Sequence, residues 1–281
     1  MSDRTTATRI VDLRADDGVW LAMRWFPARG ARHGAVLAMH AMMANASTFD
    51  RPRGKGFASH LAEQGFDTFC LDFRGHGLSE LPVRGWTLDD YAGRDVPAAL
   101  ARITALSGTP AADVAWIGHS LGGIVSLATL ARGAVPPPPA LVLAATNIWR
   151  HPTLVRRLVV EVFDGSARLL GRAPIRALGI GTDDEPASYT AHLARWVRTG
   201  RFTSADGRLD YDAALPTLRL PVLTIFGTGD PLCRPSDARD LTRRLTAATH
   251  VERSAPGATH FSLWSSPEAR AEIPRFLRSC L

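Results

Sequence analysis

Residues 114–132 read VAWIGHSLGGIVSLATLAR. The first part, Val114–Gly118, is a short unbroken apolar run, the length of a strand buried on both faces. The last part, Leu121–Arg132, is apolar at helical spacing and is followed by Gly133, a residue suited to the left-handed turn that stops a helix. Between them, Gly118-His119-Ser120-Leu121-Gly122 fits the pattern G-x-S-x-G. A serine on so tight a strand-to-helix turn is forced into a strained backbone, with its Oγ exposed. The flanking glycines let strand and helix approach closely, and the first N–H groups of the helix favour negative charge at the same point. The pattern by itself is short. The strand before it and the helix after it are what make it specific, and they make Ser120 a candidate nucleophile.

Working outward, more apolar runs of the same kind occur at Trp20–Phe26, Ala35–His40, Thr68–Asp72, Ala140–Ala145 and Val222–Gly227. Helical patterns separate them: Phe57–Gln64, Tyr91–Leu106, Ser236–Leu245 and Pro267–Leu277. Within Tyr91–Leu106, Pro97 must kink the helix or mark a late start. This alternation predicts an α/β fold, a mainly parallel sheet with helices on both faces. One stretch breaks the rhythm. Residues 149–216 hold no convincing strand and carry amphipathic pieces at Thr153–Leu170 and Ser188–Val197. They read as a helical cap inserted between two parts of one core, residues 1–148 and 217–281, since a connection that long normally has work to do. The stripe Leu154, Leu158, Val159, Val162, Phe163, Leu169 and Leu170 is expected to pack the cap onto the core, or to line an apolar acyl pocket.

A serine hydroxyl needs a base within hydrogen-bond reach. There are nine histidines. His40, His76 and His119 belong to loop motifs; His33, His60, His151, His192 and His250 read as surface residues. His260 lies in Gly257-Ala258-Thr259-His260-Phe261, a turn between the strand-like His250–Ser254 and the last helix, from which it can swing over the sheet edge. It is the candidate base. Asp230, in Thr228-Gly229-Asp230-Pro231, sits just past the C-terminal end of a buried strand, where sites in open parallel sheets gather. It is the candidate partner that orients the imidazole. An oxyanion hole needs two fixed backbone donors. The N–H of Leu121 is one; the loop His40-Ala41-Met42-Met43 offers the other, Met42 first and Ala41 second.

Composition excludes more than it assigns. With 46% hydrophobic and 21% charged residues, the chain is globular rather than disordered or fibrous. The net charge of +6 comes from scattered arginines plus the single lysine, Lys55. Without clustering it does not predict a nucleic-acid partner. Cys70, Cys233 and Cys280 have no CxxC spacing, so neither a disulfide framework nor a metal site is expected. Cys70 and Cys233 read as structural, Cys233 being the one nearer Asp230. No apolar run approaches the roughly 20 residues of a membrane span, and the N-terminus has no apolar leader core. The expectation is a soluble, cytoplasmic protein without stable membrane insertion.

From Trp20 to Phe276 the chain resembles the α/β-hydrolase superfamily. The matching features, in order, are the HAMMAN loop, Asp72-Phe73-Arg74-Gly75-His76-Gly77-Leu78-Ser79, GHSLGG, and GTGD followed by ATHF. The likeness is greatest to bacterial serine esterases of the lipase- or lysophospholipase-like kind with a helical cap. It differs in having His40-Ala41 where His-Gly is common, and in Pro97. The order Ser120, Asp230, His260 is the superfamily's order. The resemblance implies a Ser-His-Asp hydrolase of an ester or related acyl bond on a small molecule, needing no cofactor. The segment Asp72–Ser79 is implied to be structural. A serine at 120 argues against the aspartate-nucleophile dehalogenases and epoxide hydrolases. Acyltransferase or thioesterase activity on the same triad, or a non-catalytic receptor on this fold, are the alternatives.

Overall fold

The computed structural model describes residues 8–149 and 152–281. Eight strands form one sheet: β1 (Arg9–Arg14), β2 (Trp20–Phe26), β3 (Gly34–Met39), β4 (Phe66–Asp72), β5 (Val114–His119), β6 (Leu141–Ala144), β9 (Pro221–Gly227) and β10 (Thr249–Ala255). Their spatial order is β1-β2-β4-β3-β5-β6-β9-β10. Only β1–β2 and β2–β4 pair antiparallel; every later pair is parallel. The apolar runs therefore form the mainly parallel sheet expected of them. Alternate residues along each run feed two cores. Leu37, Met39, Trp116 and Leu141 pack on one face, and Val36, Ala38, Ile117 and Val142 on the other.

Helices cover both faces: α1 (Phe57–Glu63), α2 (Leu88–Asp90), α3 (Val96–Ser107), α4 (Leu121–Arg132), α8 (Pro235–Thr242) and α9 (Pro267–Cys280). A π-helical turn, Tyr91–Asp95, joins α2 to α3. It resolves the Pro97 conflict. Proline has no N–H for the ladder and its ring collides with the carbonyl four residues back, and a wider turn just before it relieves both. The α-helix proper thus starts late, at Val96, with Pro97 in its first turn and the wider turn running into it. The turn also delivers the buried Asp95 to Arg74, whose guanidinium it meets at 2.7 Å.

Strand β1 escapes a reading based on apolar runs. It is an edge strand in which only Val11 and Leu13 are buried, while Arg9, Asp12 and Arg14 face outward.

Between β6 and β9 lie α5 (Leu154–Leu170), β7 (Arg172–Ala173), β8 (Glu185–Pro186), α6 (Ala187–Thr199) and α7 (Tyr211–Ala214). Two features differ from expectation. β7 and β8 form a two-residue antiparallel pair, and Thr203 bridges Asp210, so the stretch is not free of β-structure. Pairings this short leave no apolar run in the sequence. The second difference concerns α5. Its buried residues are Val160, Asp164 and Ala167, whereas Leu154, Leu158, Val159, Val162, Leu169 and Leu170 are exposed and Phe163 is half-buried. The stripe neither packs onto the core nor lines a buried pocket, because α5 docks through its narrower, small-residue face on α6.

Candidate active site

Chain direction in the sheet reverses its progress between β3 and β5. From β3 the chain adds β4 on one side, then returns to place β5 on the other. A crevice opens at such a switch point, beyond the C-terminal ends of the two strands. Ser120 stands there, immediately after β5, with φ 51 and ψ −107. That left-handed conformation is costly for a residue with a Cβ and persists only where surrounding contacts fix it. The N–H of Ser120 donates to Ala144 at 2.9 Å, and Gly123 and Ile124 donate back to its carbonyl. A Cβ on Gly118 would strike the backbone of Gly123, and one on Gly122 the carbonyl of Met39. The glycines of the motif are thus required by the close approach of α4 to β5 and β3.

His260 and Asp230 meet as the sequence suggests. Asp230 follows β9 and His260 follows β10, parallel neighbours at the sheet's edge. Nδ1 of His260 donates to Oδ2 of Asp230 at 2.7 Å, and both side chains are buried. The other carboxylate oxygen accepts the N–H groups of Leu232 (2.8 Å) and Cys233 (3.0 Å), which fixes the carboxylate plane. Nδ1 being occupied, Nε2 is the nitrogen left for other chemistry.

His119, next to Ser120, joins the two halves of the site. Its Nδ1 accepts from Trp264 at 3.3 Å, so its Nε2 carries the proton and donates to the His260 carbonyl at 3.0 Å. The His119 and His260 rings lie 4.9 Å apart. Burial, with help from His260, holds the His119 pKa well below the ordinary histidine value. It is a neutral, fixed strut. Its place in a loop motif hid this role; Trp264, far along the chain, is the partner that defines it.

The loop after β3 is drawn against the first turn of α4 by a 3.0 Å bond from the Gly122 N–H to the His40 carbonyl. His40 is fully buried; its Nδ1 donates to the Ala41 carbonyl at 2.8 Å, and its Nε2 accepts from Phe73. Burial and the nearby His76 push its pKa down to about 3. Met43 has φ 61. Its N–H is committed to Glu185 at 2.7 Å, and its carbonyl accepts from Thr182 at 2.8 Å. The N–H groups of Met42 and Leu121 have no hydrogen-bond partner among the described residues.

Sequence reasoning missed this grip of residues 182–185 on the loop. Glu185 is fully buried, and its Oε1 also lies 3.2 Å from His76 Nε2. Burial opposes a charge on His76, but the attraction of Glu185 wins and its pKa is pushed up to about 9. Among the described residues, Glu185 Oε2 has no partner. Asp183 accepts from Gly77 N–H and Asn45, so the loops after β3 and β4 are both tied to the segment between β6 and β9. A Gly/Asp-rich turn gave no hint of this, because burial of its acids depends on distant residues. His192, expected at the surface, is buried against Trp196 and bonded to the Thr203 carbonyl. His151 lies outside the described residues.

Asp72 in the Asp72–Ser79 segment accepts from Ala46 and Leu78, and Arg74 binds Asp17 and Asp95, so the segment is a structural brace. Cys70 and Cys233 are buried, and burial raises both thiol pKa values, Cys233 to about 12. Among the described residues no group of three or more histidine, cysteine or acidic side chains is placed to hold a metal ion, and no helix is long and apolar enough to cross a membrane.

Comparison with known proteins agrees with this architecture. The family model described as Serine aminopeptidase, S33 (Hydrolase_4) matches residues 30–264. The chain is 28% identical over 248 residues to the non-heme chloroperoxidase of Streptomyces lividans, covering 79% of this chain and 84% of that one. Among solved structures, the alpha/beta hydrolase GrgF from Penicillium sp. sh18 superposes with a TM-score of 0.69 at 17% identity, covering 98% of this chain and 99% of the other. A Pyrococcus furiosus esterase, Pf2001, gives 0.64 at 17% identity, covering 98% and 93%. Parallel sheet, strained serine turn and family match converge: the chain is an α/β-hydrolase enzyme and belongs to the Serine aminopeptidase, S33 family.

Proposed function

We propose that the protein hydrolyses a carboxylic ester, or a related acyl bond of a small molecule, through Ser120, His260 and Asp230. The observation that carries this reading is the serine held at φ 51 above a helix N-terminus, whose neighbour His119 is bonded to the carbonyl of a histidine with its Nδ1 already bound to a buried aspartate. Ser120 Oγ attacks the carbonyl carbon while His260 Nε2 takes its proton. Asp230 fixes the tautomer and stabilises the imidazolium. The N–H groups of Leu121 and Met42 receive the oxyanion; loss of one such donor typically costs about 3 kcal/mol of barrier. His260 then returns the proton to the leaving alkoxide. Water repeats the sequence on the acyl-serine, giving the acid and free Ser120. None of these steps draws on a metal or cofactor.

The matched family's description supports a serine nucleophile but names an aminopeptidase, whose substrate presents an ammonium group. Asp183 is occupied by Asn45 and Gly77, and Glu185 is fully buried with its Oε1 taken by Met43 and His76. That favours an uncharged acyl ester over a free amino terminus. The insert residues 149–216 serve in this reading as a cap that holds the oxyanion loop in place. A panel of nitrophenyl esters, thioesters and aminoacyl nitroanilides, run with a Ser120→Ala control, tests the assignment. Turnover of esters that disappears in the control is expected. Turnover confined to the anilides would replace the ester reading, and product dominated by transfer to an added alcohol would make the enzyme an acyltransferase.

A further inference from the structure

Helix α5 is 17 residues long, about 25 Å, and it is amphipathic in an unusual sense: its apolar side faces outward. Leu154, Val155, Leu158, Val159, Val162, Leu169 and Leu170 fall within half a turn of one another on the helical wheel and are 59% to 84% exposed. Leu178 and Ile180, in the turn after β7, are 65% and 62% exposed. Nine such side chains expose an apolar area on the order of several hundred Å², at the upper end of what a monomer shows to water. The inner side of α5 is already satisfied through Val160 against Ala194 and Val197, and Ala167 against Ala173 and Ile175.

The polar margin of this face is cationic. Arg157 and Arg168 lie along one edge, and Arg172 and Arg176 follow the helix; all four are exposed. The acidic residues nearby are neutralised: Glu161 is held by Arg198 at 2.7 Å, and the buried Asp164 by Arg168 and Arg198. Arg157, Arg172 and Arg176 form no ion pair among the described residues. A convex helix with aliphatic side chains outward and arginines at its margin is complementary to an anionic lipid layer, into which the side chains insert while the guanidinium groups meet the headgroups. A second copy fits less well. An antiparallel pairing about the helix centre would set Arg157 of one copy beside Arg168 of the other, like charge against like.

We propose that the outward face of α5, with Leu178 and Ile180, docks the enzyme onto an anionic lipid surface, where it lies without spanning. This goes beyond the acyl-hydrolase reading and does not depend on it. The test is sedimentation of the full chain with phosphatidylcholine vesicles, with and without phosphatidylglycerol. Binding to the anionic vesicles, weaker to the neutral ones, is expected. Leu158→Asp/Val162→Asp should lower it at least about tenfold with the melting temperature unchanged, and Arg157→Glu/Arg172→Glu should abolish the anionic preference. A Leu158→Trp variant, which keeps an apolar side chain, should shift its emission to the blue when anionic vesicles are added. This keeps the proposal testable if the aspartate variant unfolds. Absence of vesicle binding by the unaltered protein, equal binding by a folded aspartate variant, or an unshifted tryptophan would overturn it. So would a dimer in light scattering that the aspartate changes disperse, since a second copy would then cover the face. Turnover of a short, soluble ester should be the same in the aspartate variant and the unaltered protein, so failure to dock and failure of the hydrolase reading are read separately.

Discussion

Ser120 occupies a backbone region that few residues with a Cβ tolerate, and its neighbours show why it is held there. Gly118 and Gly122 let α4 press against β5 and β3, and the serine closes the turn between them. Gly122→Ala would drive a methyl group into the Met39 carbonyl. It should lower stability by about 1–3 kcal/mol or more, the usual cost of overpacking, visible as a lower denaturant midpoint. In the proposed mechanism Ser120, His260 and Asp230 act as a unit. Ser120→Ala and His260→Ala should each lower kcat by about 10⁴-fold or more, with folding intact. Asp230→Asn should lose roughly as much, because an amide facing Nδ1 selects the wrong tautomer. The Ser120→Ala/His260→Ala double variant should be little worse than either single one; multiplicative losses would show that the two do not work together. These three residues stand where the sequence pattern alone places them. Ser120 and Asp230 follow buried strands, whose ends are legible from apolar runs, whereas His260 follows the largely exposed edge strand β10 and was legible only from the turn in which it lies. His119 was not legible as a strut, since its role depends on Trp264 and on a backbone carbonyl.

At the level of elements, the contact that matters most is the one between residues 182–185 and the loop after β3. Glu185 takes the Met43 N–H and pairs with His76, while Thr182 bonds the Met43 carbonyl. Both sides of Met43 are thereby held, one residue from the peptide that carries the Met42 N–H. Glu185→Ala would leave His76 buried without its partner and should cost about 3–5 kcal/mol of stability. It should also lower kcat more than it raises KM, if Met42 helps bind the oxyanion only in the transition state. Glu185→Gln keeps an acceptor for Met43 and should restore much of kcat. The pair also predicts a pH dependence. The folded-state pKa of His76, about 9, lies above its ordinary 6.5. Its contribution to stability is therefore complete below about pH 6.5 and is lost as pH rises through about 9. Thermal melts from neutral to alkaline pH should show that loss in the unaltered protein and little of it in Glu185→Gln; identical slopes would remove the ion pair from the account. None of this was visible in the turn GIGTDDEP, which reads as solvent-facing until the fold buries its acids. The same holds for α5, where periodicity marks an apolar face but not the direction it points.

Across the whole molecule, the sheet order places β3 and β5 at the switch point and brings loops from both, together with Asp230 and His260, to one edge. That much was readable because parallel strands buried on both faces must be continuous apolar runs. Strand β1 was not, since an edge strand buries only alternate residues and its arginines mask them. Many of the arginines are paired, such as Arg74 with Asp17 and Asp95, and Arg244 with Asp212 and Asp240, and the net charge of +6 is the excess left over, part of it at Arg157, Arg172 and Arg176. Turnover of an uncharged, water-soluble ester should show kcat/KM nearly independent of ionic strength, because such a substrate carries no charge for the field of the protein to steer. The central claim is that Ser120 is the nucleophile of an acyl hydrolase. It is tested most directly by treating the folded protein with a fluorophosphonate probe and locating the adduct by peptide mass. The account predicts one adduct, on Ser120, lost in Ser120→Ala and strongly slowed in His260→Ala. A folded protein that stays unlabelled, or labelling that persists undiminished in Ser120→Ala, would contradict it.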